Sequence, residues 1–83
     1  MSDIKTIEQI KSIIKTAKDS VWVINDEIQK KTQRGSLTDE GKVSIQRNVD
    51  HLVIVMADTE ITGSGEDVSE LVAAITAGKL ALQ

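Results

Sequence analysis

The chain contains no cysteine and no proline, and of its 83 residues only Trp22 is aromatic. Without cysteine there can be no disulfide, no thiolate metal site and no cysteine nucleophile. A single histidine, His51, supplies too few imidazoles for most zinc or copper sites. No apolar run approaches the ~18 residues that a membrane span requires. The opening Met-Ser-Asp-Ile-Lys lacks the charged-then-apolar pattern of a signal peptide. These absences lead to the expectation of a soluble, cytoplasmic protein with no metal, no cofactor and no membrane contact. A chain this short forms one small domain and buries only about 60–65% of the surface it exposes when unfolded. With disulfides and metals gone, its core must be supported by self-association or by very regular helix packing.

Charge is unevenly placed. Residues 1–34 carry seven Lys/Arg against five Asp/Glu, whereas residues 35–83 carry three against eight, so +2 and −5 sum to the net −3. Such polarity favours contact between unlike surfaces and makes a dedicated nucleic-acid binder an unfavourable reading.

What is present is helical periodicity. Ile7, Ile10, Ile14, Ala17, Val21, Ile24 and Ile28 follow one another at alternating steps of three and four. That spacing returns to one side of a helix at every step, and predicts one long helix over residues 4–33. Gly35 stops it, with Lys30, Lys31 and Arg34 in the last turn, where cations suit the helix dipole. Thr38 is the favoured N-cap of a second helix over 39–59, with Ser36 and Asp39 as a competing capping box. Its seam is Ile45, Val49, Leu52 and Met56. The short break between two seamed helices reads as an antiparallel helical hairpin.

Thr62-Gly63-Ser64-Gly65 interrupts the second helix, and Ser64 with Asp67 forms the pattern of a further capping box. A third helix is expected over 66–77, closed at Gly78, with Leu80 and Leu82 folding back as an apolar tail. Val21–Ile24 and Leu52–Met56 are rich in β-branched residues and would also suit buried strands, although the helical spacing runs through both. The expected fold is all-α: a single domain, 1–83, made of a long antiparallel hairpin and a short third helix, forming an oligomeric bundle.

Leu52 to Ala57 is a run of six apolar residues, which on a helix covers every direction. The hairpin partner and the third helix can cover two sides. Val23, Ile54 and Val55 are therefore the expected contacts of a homo-oligomer, with a second copy of the chain as partner.

No catalytic constellation is visible, so no enzyme activity is expected. Asp58, Glu60, Thr62 and Gly63 fit the first half of a calcium loop, but Ser69 stands where the bidentate acid belongs. Gly63-Ser64-Gly65 lacks the Gly-Lys-Ser/Thr ending of a phosphate loop, and Glu66 and Asp67 follow it. His51 has no nucleophile at a helical spacing and no orienting carboxylate on its own face.

One stripe stands apart. Lys11, Lys15, Lys18 and Trp22 step by four, three and four along the first helix, off its seam. Cations beside an aromatic plane are the parts a nucleotide needs, ammonium groups for phosphate and a surface for a base. These four are the candidate ligand-binding residues. The alternative is that Trp22 packs on the third helix or on a second subunit, as interface aromatics do.

Gln46-Arg47-Asn48-Val49-Asp50-His51-Leu52, Met56, Gly65-Glu66-Asp67 and Ala74-Ile75-Thr76-Ala77-Gly78-Lys79 resemble small helical proteins of tailed bacteriophages over residues 37–82. The resemblance implies a phage accessory product that works by stoichiometric binding in the host cytoplasm. The expected long-hairpin architecture is similar to that of phage counter-defence factors that sequester nucleotide second messengers, so sequestration of such a signal or of a host defence protein is the expected role. A structural or assembly component of a virion is the alternative.

Overall fold

A computed structural model describes residues 4–83; residues 1–3 of the expected domain lie outside it. Every element in this range is helical: α1 (Ile7–Arg34), α2 (Asp39–Met56), α3 (Thr59–Thr62) and α4 (Ser69–Ala81). Val21–Ile24 and Leu52–Met56 are helix, so the strand alternative does not hold. The molecule measures 49 × 20 × 16 Å, a rod set by the length of α1.

The caps explain where the helices begin. Thr6 accepts from the Gln9 amide at 3.2 Å, and the Gln9 side chain accepts from the Thr6 amide at 2.8 Å, a reciprocal capping box. α1 therefore starts at Ile7 and not at residue 4. It ends at Gly35, whose φ of +89° places it in the left-handed region where a side chain is strained. Thr38 caps α2 by accepting from the Gly41 amide at 3.0 Å.

The expected continuation of α2 to residue 59 is corrected by Asp58. Its extended backbone leaves the helix, and its carboxylate accepts from the Glu60 amide at 2.9 Å, starting the single turn of α3. Ser64 does not form a box with Asp67. Its hydroxyl donates to the Ile61 carbonyl at 2.6 Å instead, and Asp67 accepts from both the amide and the hydroxyl of Ser69. The last long helix consequently begins at 69 and runs to 81.

Gly78 is also not a stop. It lies buried inside α4 with no positive φ, and Leu80 continues the helix beyond it. A Cβ on Gly78 would lie 2.5 Å from Val49 Cγ2, 3.3 Å from Ile45 Cγ2 and 3.4 Å from Ile24 Cγ2. The glycine therefore lets α4 settle against both α1 and α2, which also pack against each other.

The core is aliphatic. Ile10, Ile14, Ala17 and Ile24 of α1 meet Ile45, Val49 and Leu52 of α2, together with Leu71 and Ala74 of α4. Ile61, carried by α3, closes one end. At the other end the Lys31 ammonium donates to the Ala81 carbonyl at 3.2 Å, placing a cation on the C-terminus of α4.

Lys5 fastens the start of α1 to the region beyond α2. Its ammonium lies 2.8 Å from Asp58, and its amide donates to Glu60 at 2.6 Å. The bond from Lys5, followed by that from the Glu60 amide, holds the Asp58 carboxyl below its ordinary pKa. The bond to Asp58 raises Lys5 in turn. A lowered carboxyl contributes stability that is present above its unfolded value and lost as pH falls through the folded one. The raised ammonium contributes below the unfolded lysine value, and that share is lost as pH rises through the folded one. Asp58→Asn keeps a side-chain oxygen for the Glu60 amide but loses the charge. Its urea midpoint should fall below wild type at neutral pH and converge with it at acid pH, once Asp58 is protonated in both states. A gap that persists unchanged at low pH would assign the loss to the cap and not to the ion pair.

Candidate functional site

α1 and α4 leave a groove along their outer side, and the residues of the Lys11–Trp22 stripe line it. Trp22 is 67% exposed. It borders a shallow cavity floored by Val21 of α1 and by Ala73, Ala74 and Ala77 of α4. Small residues on α4 create this hollow, because alanines cannot fill the space beside an indole. Asn25, Lys18 and Glu70 form its polar edge.

Lys18 is shared with a second hollow, nearer the start of α1, where Lys11 and Lys15 face Glu66 and Asp67 across Ile14. The candidate residues are thus brought to one side of the molecule, but acidic groups come with them. Lys18 Nζ is 3.8 Å from Glu70 Oε2, and both side chains are more than half exposed. Such a pair is worth roughly 0–1 kcal/mol. Asp67 is held below its ordinary carboxyl pKa by the Ser69 hydroxyl first, then by the Ser69 amide, with a smaller share from the Lys18 charge. Three lysines are therefore matched by Glu66, Asp67 and Glu70. A phosphate group entering here would have to compete with carboxylates already in place, whereas an uncharged or mixed-charge surface would not.

Sequence spacing finds Lys11, Lys15, Lys18 and Trp22 on one face. It does not find the carboxylates opposite, which come from the loop before α4 and from its first turn. Sequence reasoning also misses Ala73 and Ala77. Their signal was the run of small residues at helical spacing in α4.

The expected oligomer contacts divide. Ile54 points outward at 71% exposure, and Val53 is also exposed. Val23 is half-buried. Val55 is corrected: at 7% exposure it belongs to the chain's own core, because α2 has packed neighbours on two sides. The run 52–57 is accordingly not enclosed all round by one chain. Val43, which lies off the α2 seam, is exposed at 55%.

His51 is exposed on α2, and among the described residues no group of three or more His, Cys, Asp or Glu is placed to hold a metal ion. No helix among them is long and apolar enough to cross a membrane. Comparisons with protein-family models, with curated proteins and with solved structures give no match.

Proposed function

We propose that the chain is a non-catalytic, self-associating helical protein that acts by binding, with the α1–α4 groove as its contact surface and another protein as its target. α1 and α2 serve as the two arms of an antiparallel hairpin, and α4 completes the surface. The observation that carries this reading is Trp22, two-thirds exposed beside a floor of alanines with Lys18 and Glu70 at the edge. An apolar centre with a rim of both charges is the anatomy of a protein contact, and tryptophan is the residue type most enriched among its energetic anchors. Following the resemblance to small tailed-phage proteins, the target is a host protein met in the cytoplasm, and the role is that of a phage accessory or counter-defence factor.

A second reading, sequestration of a nucleotide signal, has the lysine stripe in its favour. The two readings separate in one assay set. Host proteins crosslinked to the purified chain should include one retained by wild type and lost with Trp22→Ala. That loss should weaken the contact by roughly 30-fold or more, in line with an interface anchor worth about 2 kcal/mol. Trp22 fluorescence should stay unchanged across a panel of cyclic and linear nucleotides. A saturable emission change, abolished by Lys15→Ala or Lys18→Ala, would transfer the function to the nucleotide reading.

A further inference from the structure

We infer that the outward face of α2 is a self-complementary surface, and that two copies of the chain pair there as an antiparallel, two-fold symmetric dimer. This rests on the self-association reading above and specifies its surface. Val43, Arg47, Asp50 and Ile54 succeed one another at steps of four, three and four. At 100° per residue they fall within an arc of about 60°. All four are exposed, Val43 at 55% and Ile54 at 71%. They lie away from Ile45, Val49 and Leu52, which face the core.

The order of these residues is what selects the occupant. Val43 and Ile54 lie equally far from a midpoint between Asn48 and Val49, and so do Arg47 and Asp50. A second α2 laid antiparallel about that midpoint brings Val43 onto Ile54 of the partner subunit and Arg47 onto Asp50 of the partner subunit. The two-fold axis then repeats both contacts. Gln46 and His51 are related by the same midpoint, so no like charges meet between Val43 and Ile54. Steps of four and three are those of a coiled-coil seam, whose antiparallel form pairs its two seam positions in this way. A parallel pairing would instead set Arg47 against Arg47 and Asp50 against Asp50. The charges therefore fix direction and register while the aliphatic pair at each end supplies the apolar contact.

Both charged groups are available for this. Arg47 makes no ion pair with its own chain among the described residues, and Asp50 accepts only the Gln46 amide, through Oδ1 at 2.8 Å. Its second oxygen remains for a guanidinium. The contact occupies one helix face, less than the ~800 Å² per partner of a standard interface, so association is reversible and depends on concentration.

Sedimentation equilibrium of the full chain, from low micromolar to near-millimolar concentration, reads this directly. Wild type should shift from monomer to dimer. Arg47→Asp and Asp50→Arg should each weaken the dimer by about tenfold or more, because each sets like charges opposite one another. The double reversal should return it to within about threefold of wild type, since the unlike pair is restored. Ile54→Lys should abolish the dimer while leaving the helical circular dichroism intact, as the side chain is exposed. A wild-type chain that stays monomeric throughout would overturn the self-association reading and this surface with it. A wild-type oligomer indifferent to both reversals and to Ile54→Lys would overturn this surface alone. Two single reversals that weaken the dimer without rescue by the double would overturn the antiparallel register.

Discussion

Gly78→Ala is expected to lower the stability of the fold by about 2 kcal/mol, although the same substitution in an exposed helix would raise it. Alanine is favoured over glycine by about 0.8–1.0 kcal/mol in a helix interior. Here the added methyl would sit 2.5 Å from Val49 Cγ2, far inside van der Waals contact. Val49 cannot yield cheaply. It is 1% exposed, and a β-branched side chain in a helix has essentially one rotamer. Ile45 and Ile24, at 3.3 and 3.4 Å, close the other directions, so relief requires α4 to move off α1 and α2 together. Overpacking of this kind costs typically 1–3 kcal/mol and sometimes more, which exceeds the gain in helix propensity. Urea unfolding followed by circular dichroism measures the net effect. A double-mutant cycle identifies its source, because Val49→Ala removes the offending methyl. The pair Val49→Ala with Gly78→Ala should cost at least about 1 kcal/mol less than the sum of the two single changes. Additive losses would place the strain elsewhere.

That glycine marks where a single sequence stops being sufficient. The long first helix was legible because its seam is regular: Ile10, Ile14, Ala17 and Ile24 are buried and Val21 and Ile28 half-buried as the spacing requires, and only Ile7, in the first turn, is exposed, at 44%. The same holds for Ile45, Val49 and Leu52. Periodicity reports one buried side of a helix, and fails where two sides are buried. The apolar run Leu52–Ala57 leaves Val55 as an expected contact with a second copy, yet Val55 reaches the chain's own core. Ala-Gly-Lys resembles a helix terminus locally, and only the neighbouring helices decide that Gly78 is a point of close approach. The clue was Ala74, Gly78 and Ala81, small residues at steps of four and three, all buried. The candidate site shows the same limit. The stripe Lys11–Trp22 follows from one helix and could be found. Glu66, Asp67 and Glu70 oppose it only because α4 is laid along α1, and that docking changes the chemistry from a cationic patch to a balanced rim.

Ile24→Ala and Trp22→Ala should separate fold from function at two positions only two residues apart. Ile24 is fully buried beside the Gly78 crossing. Truncating it removes apolar contacts and leaves a cavity among α1, α2 and α4, and such changes cost about 2–5 kcal/mol. A domain of this size has in total on the order of 4–12 kcal/mol, at roughly 0.05–0.15 kcal/mol per residue. The variant should therefore lose a large part of its urea midpoint, and the weakest outcome within this range still lowers the melting temperature by several degrees. Trp22 is the larger side chain but sits on the opposite side of α1 with two-thirds of its surface in solvent. Its replacement should cost less than about 1 kcal/mol, because little contact is lost and alanine is the better helix former. If the two variants were equally unstable, the indole would be part of the α1–α4 packing, and loss of binding in Trp22→Ala would report a damaged groove. If only Ile24→Ala is unstable, a tryptophan that the fold does not need is exposed beside a hollow lined with alanines. Loss of binding in Trp22→Ala would then support the proposed contact outside the monomer, because the groove itself is undamaged.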